Sequence, residues 1–164
     1  MKNHKRIILV GPAAAGKTYI RDAFIKKSYE IDISYTSRKP RYNEIDGIDY
    51  HFIDINSFHE MIKNNKFYEY VKFGENYYGT SEFSWENSDV FIMETSGISK
   101  IRPEDRKNCL IIYVNTPYKI RLQRMQERNW NNEKIQDRIK QDIENFNDFK
   151  DYDIEISSEI YNNI

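Results

Sequence analysis

The stretch GPAAAGKT, from Gly11 to Thr18, has the residue types and spacing of a phosphate-binding loop. It matches the pattern G-x-x-x-x-G-K-[ST] in full, with Gly16 and Lys17 at its centre. In such a loop, backbone N–H groups and the N-terminus of the following helix form a positive concavity for phosphates. The lysine reaches the β- and γ-phosphates, and the threonine hydroxyl binds Mg²⁺. The loop predicts binding of ATP or GTP and does not choose between them.

A second group with possible chemistry is Glu94, which ends the apolar run VFIME. A carboxylate at the carboxyl end of a buried strand, beside a phosphate loop, is placed to bind Mg²⁺ or its water. Alone the pattern is weak, because many strands end in glutamate. Following a phosphate loop, it predicts that Thr18 and Glu94 are the metal ligands.

A pair of arginines lies in the stretch SYTSRKPRYNEIDGIDY, which begins at Ser34. Arg38 and Arg41 are three residues apart, on either side of Pro40. Two guanidinium groups on a stiff turn can chelate a phosphate through paired hydrogen bonds. On these residues alone, a solvated basic turn is the favoured interpretation.

The elements that must position these groups alternate between strands and helices. The apolar runs RIILV, VFIME and LIIYV are typical of strands buried on both faces, and DIEIS alternates like a strand. KTYIRDAFIKK predicts a helix, as does TPYKIRLQRMQER with Thr116 as N-cap and Pro117 in its first turn. NNEKIQDRIKQDIENF predicts another helix, with an apolar stripe of Ile135, Ile139, Ile143 and Phe146. This order predicts an α/β fold with a parallel sheet.

The middle of the chain, from Ile31 to about Ser88, differs from its flanks. It is rich in Tyr and Phe and contains turn signals such as NEIDGIDY. DYHFI and KFYEYVKF predict short strands, and INSFHEMIKNN between them predicts a short helix with an Asx-type start. We interpret this region as a small α+β insertion in the α/β core.

Composition narrows the class of protein. The chain has 164 residues, the usual size of one domain, and a formal net charge of -1. That balance gives no electrostatic reason to expect nucleic acid or an anionic membrane as a partner. The single cysteine, Cys109, excludes an internal disulfide and lies beside an apolar run, which favours a buried, inert thiol. We expect a cytoplasmic protein that is a monomer or a homodimer.

Three stretches together resemble the guanylate kinase family: the phosphate loop, SYTSRKPRYNEIDGIDYHF and FYEYVKFGENYYGTS. The family pattern is roughly S-x-T-[ST]-R-x-P-R-x-x-E-x-[DN]-G-x-D-Y-x-F, then F-x-E-x-x-x-[FV]-x-x-N-x-Y-G-[ST]. Both parts are met at the family's spacing, and a weaker likeness continues through RLQRMQER and IQDRI.

The resemblance implies a P-loop NTPase fold, with a three-layer α/β/α core, a GMP-binding insertion and a helical lid. Within one domain over 1–164, the core would be about 1–32, 89–122 and 139–164, the GMP-binding subdomain about 33–88 and the lid about 123–138.

The same resemblance implies ATP-dependent, Mg²⁺-assisted phosphoryl transfer to GMP, giving GDP and ADP, and leaves open the use of dGMP. The implied ATP-binding residues are Gly11, Ala13, Ala14, Ala15, Gly16, Lys17 and Thr18. The implied catalytic residues are Lys17, Arg38, Arg124, Arg128 and Arg138. Without the family, solvated helix faces would explain the last three arginines.

For the acceptor nucleotide, the resemblance implies that four residues hold the GMP phosphate: Arg38, Arg41, Tyr50 and Tyr78. Glu44 would brace the arginine turn, and Glu94 is grouped with the GMP-binding residues as well as with the metal ligands. Glu69 would accept hydrogen bonds from guanine N1 and N2. Ser34 and Thr80 would donate to guanine O6.

The chain departs from the family at three places. Ala13 and Ala14 replace the serine and middle glycine of GPSGxGK, and an alanine there must avoid positive φ or carry strain. METSGIS has one carboxylate where the family has D-x-D-x-Q-G, and the lid segment NWNNE looks short. The alternatives are a phosphopeptide- or nucleotide-binding module and a weakly active paralogue with another nucleotide specificity. Binding modules typically lose the loop lysine or the lid arginines, and this chain keeps both.

Overall fold

The computed structural model describes residues 5–157. Eight strands and seven helices follow one another along these residues as β1 (Arg6–Val10), α1 (Lys17–Ile25), β2 (Tyr35–Thr36), β3 (His51–Phe52), α2 (Ile55–Lys63), β4 (Phe67–Phe73), β5 (Asn76–Ser81), α3 (Glu82–Asn87), β6 (Val90–Ile92), α4 (Thr95–Ile98), α5 (Pro103–Arg106), β7 (Cys109–Asn115), α6 (Tyr118–Glu127), α7 (Asn132–Phe146) and β8 (Ile154–Ser157). None of the described helices is both long and apolar enough to cross a membrane.

A parallel sheet of four strands, in the order β6-β1-β7-β8, forms the core and confirms the predicted α/β fold. Alternate residues of β1 enter opposite faces: Ile8 and Val10 pack in one apolar cluster, and Leu9 packs in the other. Helix α1 covers the second face through Ile20, and Trp85 of α3 lies in the cluster of the first face. Both faces are therefore covered, as continuous apolar runs require.

A second sheet, in the order β3-β2-β5-β4, forms a separate layer in the middle of the chain. Helix α2 packs on it through Phe58, which is fully buried and stacks on Phe67 with ring centroids 4.5 Å apart. The predicted start of this helix is confirmed, because Asp54 caps it by accepting a hydrogen bond from Ser57 N at 2.9 Å. This sheet lies inside the range predicted for the insertion. The predicted core ranges include residues 1–4 and 158–164, which lie outside the described part of the chain.

A register irregularity in β4 affects the candidate site. Pairing with β5 shifts between Phe67 and Glu69, so that the adjacent residues Tyr68 and Glu69 are both buried. In a regular strand one of them would face outward, because side chains alternate. The irregularity turns the Glu69 carboxylate into the protein.

Two expectations about where elements begin or end are wrong. Strand β6 ends at Ile92 instead of continuing to Glu94, which occupies the N-cap position of α4. Helix α6 begins after Pro117, and Thr116 is not its cap. The Thr116 hydroxyl donates instead to the carbonyl of Ala15 at 2.6 Å, so it fastens the phosphate loop to β7.

The apolar stripe predicted for α7 is wrong at one position. Ile143 is 62% exposed, whereas the neighbouring Asp142 is 3% exposed. The inward position tolerates a carboxylate because Arg121 donates to it at 3.0 Å and the backbone N–H of Ala13 donates at 3.1 Å. The hydrogen bonds to Oδ2 of Asp142 therefore outweigh the apolar periodicity.

Candidate functional site

A cavity of about 670 Å³ opens where β1 and β6 end and the loops after them begin. Its walls contain most of the predicted site residues, drawn from the phosphate loop, the insertion and the lid. Those that line it are Ala13, Ala14, Ala15, Gly16, Lys17, Thr18, Ser34, Arg38, Arg41, Glu44, Tyr50, Tyr78, Glu94, Arg124, Arg128 and Arg138. Gly11, Glu69 and Thr80 are not among the lining residues.

The phosphate loop has a backbone that only small residues permit. A Cβ on Gly11 would lie 2.5 Å from the carbonyl oxygen of Val114, so the first glycine is required by the close approach to β7. Gly16 has φ 102° and serves as the N-cap of α1. Ala14 has φ 59°, in the left-handed region. The alanine that replaces the family's glycine therefore carries strain on the order of 1–2 kcal/mol.

Lys17 folds back over its own loop. Its ammonium group donates to the carbonyls of Gly11 and Pro12, the second at 3.0 Å. Burial lowers the pKa of Lys17 to about 8, against the opposing effect of the negative charge of Glu94. The side chain thus lies beside the loop whose N–H groups would receive phosphates, at a distance from which it can exchange carbonyl partners for phosphate oxygens.

Glu44 organises the arginine turn of the insertion. Arg38 donates to both of its carboxylate oxygens, at 2.8 and 2.9 Å, and the backbone N–H of Arg41 donates at 2.7 Å. Burial alone would raise the pKa of Glu44, but the hydrogen bonds from both arginines bring the pKa below its usual value. Nε of Arg38 is buried without a hydrogen-bond partner, while the guanidinium lies over the ring of Tyr50 at 5.4 Å. A donor without a partner at a cavity wall suits an anionic ligand.

Two lid arginines face the phosphate loop and the arginine turn. Arg124 donates to the carbonyl of Ala14 at 3.0 Å. The pKa of Arg128 is lowered by burial first, and then by the positive charges of Arg41 and Arg124. Within residues 5–157, no carboxylate lies within 4.0 Å of Arg124 or Arg128. Mutually repelling guanidinium groups at one cavity make a site for a polyanion.

Arg138 reaches the cavity from α7. It lies 3.9 Å from a carboxylate oxygen of Glu94 and 3.3 Å from one of Asp142, and its guanidinium lies over the ring of Phe73 at 4.5 Å. Neither Nε of Arg138 nor Oδ1 of Asp142 completes a well-directed hydrogen bond. Asp142 therefore connects a lid arginine to the phosphate loop, a role that the sequence analysis missed. Its spacing of four residues from Arg138 was the available signal.

Two of the three residues expected to select the base, Glu69 and Thr80, lie behind the cavity wall, whereas Ser34 lines it. Glu69 is 7% exposed and accepts from the backbone N–H of Thr80 at 3.2 Å, and Thr80 is 1% exposed. A Cβ on Gly97 would lie 2.9 Å from Oε2 of Glu69, so this glycine of α4 gives the carboxylate its space. Burial raises the pKa of Glu69 to about 7, and the charge of Asp32 adds to the rise.

Asp32 and Trp130 also line the cavity, and neither is among the predicted site residues. Asp32 accepts hydrogen bonds from the hydroxyls of Ser34 and Ser84, one on each carboxylate oxygen. Trp130 lies under the guanidinium of Arg41 at 5.4 Å. A signal for Asp32 was available in its position two residues before Ser34, because alternate residues of an extended segment face the same side.

Comparison with known proteins identifies the family. The family model described as guanylate kinase matches residues 3–164. The chain belongs to the guanylate kinase family. It is 36% identical to the guanylate kinase of Aster yellows witches'-broom phytoplasma over 131 residues, which covers 73% of this chain and 62% of that protein. It is 33% identical to the guanylate kinase of Blochmanniella floridana over 167 residues, which covers 94% of this chain and 79% of that protein.

A solved structure agrees at the level of the fold. The guanylate kinase of Anaplasma phagocytophilum has a TM-score of 0.75 at 20% identity, covering 97% of this chain and 79% of that one. The chain spans less than two thirds of the length of the phytoplasma relative.

The guanylate kinase pattern D-x-D-x-Q-G can now be placed on the structure. With Gly97 at its glycine, Glu94 falls at the second acid and Ile92 at the first. Ile92 and Glu94 both line the cavity. This chain therefore has an apolar side chain at one of the two positions where the family pattern has an acid.

Proposed function

We propose that this protein is an ATP:GMP phosphotransferase that converts ATP and GMP into ADP and GDP; the use of dGMP stays open. The observation that carries the proposal is one cavity with two phosphate-binding ends. The phosphate loop lies at one end, and the turn of Arg38 and Arg41 lies at the other. A protein that bound a single nucleotide would need only the first.

The side chains around the cavity suit transfer between two anions. The loop and Lys17 would hold the ATP phosphates, and four side chains of the insertion would hold the GMP phosphate: Arg38, Arg41, Tyr50 and Tyr78. In-line transfer needs charge neutralisation and alignment more than an acid or a base. Arg124, Arg128 and Arg138 would supply positive charge and, with the lid, exclude water that would otherwise take the phosphoryl group.

Mg²⁺ fits the groups present. Thr18 and Glu94 place a hydroxyl and a carboxylate at the same cavity, and Mg²⁺ is usually bound by one or two carboxylates together with substrate phosphates and water. No described cluster of three or more His, Cys, Asp or Glu side chains offers a cage made of protein ligands alone. When bound, Mg²⁺ would neutralise phosphate charge and orient the transferred group. Thr18 and Glu94 would hold it.

Guanine selection follows the family assignment of Glu69, Ser34 and Thr80. One carboxylate can accept from both N1–H and the 2-amino group of guanine, whereas adenine presents a lone pair at N1. Leaving a buried carboxylate unpaired would favour GMP over AMP by up to about 10⁴-fold. Glu69 must approach the cavity when the base is bound, because in this structure it lies behind the wall.

A coupled assay tests the proposal directly. ADP formation is measured with ATP, Mg²⁺ and, in turn, GMP, dGMP, AMP, CMP and UMP. We expect turnover with GMP and loss of turnover when Mg²⁺ is chelated. Turnover only with another monophosphate would show a paralogue of different specificity. GMP binding without turnover would show a binding module.

Lys17→Ala should lower kcat by at least about a hundredfold, because it removes one charge contact to the transferred phosphoryl group. Lys119→Ala is the matched control, since that lysine is exposed on α6 and does not line the cavity. Near-normal turnover of the Lys17→Ala protein would contradict the kinase proposal.

A further inference from the structure

The carboxylate of Asp32 lies at the cavity wall, on a segment whose backbone is fixed by β6. Its backbone N–H donates to the carbonyl of Val90 at 2.9 Å, and the preceding Ile31 forms a parallel bridge with Val90. This segment is therefore fastened along the edge of β6. From there the Asp32 side chain faces the same cavity as Ser34 and Ile92.

The hydroxyls of Ser34 and Ser84 orient this carboxylate and leave part of its hydrogen-bond-accepting capacity available. Ser34 donates to one oxygen and Ser84 to the other, and Ser84 lies 3.1 Å from the hydroxyl of Ser88. An ionised carboxylate has about four lone-pair positions, so roughly two stay available. No described arginine or lysine forms an ion pair with Asp32. Its unused capacity therefore points to a ligand that donates hydrogen bonds.

The contact with Asp32 also changes what Ser34 can do. A hydroxyl has one proton, and that of Ser34 is directed to the Asp32 carboxylate. While it stays there, Ser34 cannot donate to a base oxygen, so the donation to guanine O6 that is expected of Ser34 requires its hydroxyl to turn away from Asp32. The polar group that this wall presents to a base is thus an acceptor.

We propose that Asp32 is a specificity-determining residue that accepts a hydrogen bond from the 2-amino group of the bound guanine. The inference rests on the proposed function and refines it. Guanine has three N–H hydrogens on this edge, one on N1 and two on the 2-amino nitrogen. The two oxygens of Glu69 account for two of them, and Asp32 accepts the third. Asp32 lies on the segment that runs beside β6, and both Asp32 and Ile92 of β6 line the cavity. Asp32 thus places an acid near the position where β6 carries an apolar residue.

The test is the binding of GMP and IMP, measured by calorimetry in the absence of ATP. IMP has the same phosphate, sugar and N1–H as GMP but lacks the 2-amino group. Asp32→Asn replaces the charged acceptor by an amide of similar size. We expect GMP binding to weaken about tenfold or more, as for the loss of a hydrogen bond to a charged group, and IMP binding to change less than about threefold.

Asp89→Asn is the matched control. Asp89 is also a buried aspartate of this region, where it accepts from the backbone N–H of Glu30, but it does not line the cavity. The ratio of GMP affinity to IMP affinity in the Asp89→Asn protein should equal that of the unchanged protein. If Asp32→Asn does not fold, Asp32→Ser removes the same charge in a smaller side chain and should lower the ratio in the same way.

The outcomes separate this inference from the proposed function. Equal weakening of GMP and IMP by Asp32→Asn would show a purely structural residue. No change in either affinity would show that Asp32 does not contact the 2-amino group. Failure of the unchanged protein to bind either nucleotide would overturn the proposed function itself.

Discussion

At the scale of single residues, the charge state of Glu69 would decide whether this residue can hold guanine as proposed. Only the ionised carboxylate accepts from both N1–H and the 2-amino group. Burial raises its pKa to about 7, Asp32 raises it further, and the hydrogen bonds from Thr80 and the positive charge of Lys100 oppose the rise. Ordinary changes of pH near neutrality therefore change the fraction of protein that is ready to bind the base.

Guanosine affinity should increase as the pH rises through about 7. A group with this pKa goes from about one tenth ionised at pH 6 to about nine tenths at pH 8, so the affinity should rise about tenfold. Guanosine is used because it has no phosphate that titrates in this range. Calorimetry at about pH 6 and about pH 8 measures the change in guanosine affinity. Glu69→Gln is the control, and it should abolish this pH dependence. An equal pH dependence in Glu69→Gln would assign the effect to another group.

The same pKa has a consequence for stability. Between about pH 4.5 and pH 7 the folded protein keeps a proton on Glu69 that the unfolded chain has lost. The folded state therefore binds more protons, and the contribution of Glu69 to stability falls as the pH rises through this window.

At the scale of elements, α7 joins the lid to the phosphate loop through a buried charge pair. Asp142 accepts from Arg121 of α6 and from Ala13 of the loop. Two helices and a loop thus depend on one carboxylate. Its removal leaves a guanidinium that is 9% exposed without its partner.

Asp142→Asn should lower the free energy of unfolding by about 3 kcal/mol, because breaking a buried ion pair leaves an uncompensated charge. For a chain of this size that is a fall in Tm of about 6–12 °C. The control is Asp137→Asn on the exposed face of the same helix, which should change stability by less than about 0.5 kcal/mol. A loss below about 1 kcal/mol at Asp142 would show that Arg121 finds another partner.

The elements differ in how well their sequence predicts them. Strands β1, β6 and β7 were predictable because they are continuous apolar runs, β8 because its residues alternate, and α2 because Asp54 caps it. The inward orientation of Asp142 was not predictable, because it depends on hydrogen bonds from Arg121 and Ala13, which are 21 and 129 residues away in the sequence. The burial of Glu69 depends on a register shift between strands, which local sequence does not specify.

At the scale of the whole molecule, the lid and the insertion already touch. The Arg41 guanidinium lies over Trp130, and the Arg138 guanidinium lies over Phe73 of β4. Because Arg41 is expected to hold the GMP phosphate, we expect GMP binding and the position of the lid to be coupled at Trp130.

Trp130 should therefore report closure by fluorescence. The protein has two tryptophans, and the other, Trp85, is 2% exposed in the core and stacks on Tyr68. GMP with a non-hydrolysable ATP analogue should change the emission of Trp85→Phe protein, where Trp130 remains. Trp130→Phe protein should show little change. A signal that survives in Trp130→Phe would mean that the core, not the lid, responds to the nucleotides.

The strand order of the core sheet has a consequence for synthesis on the ribosome. The central strand β1 emerges first, yet its partners β6 and β7 begin at Val90 and Cys109, and β8 comes last of the described strands. The second sheet, by contrast, is complete once β5 ends at Ser81. The nascent chain must hold the apolar RIILV unpaired at least until β6 has been made, a period in which a chaperone or a neighbouring chain can bind it. The insertion can therefore assemble before the core sheet, so the part expected to select the acceptor nucleotide would form before the part expected to bind the donor.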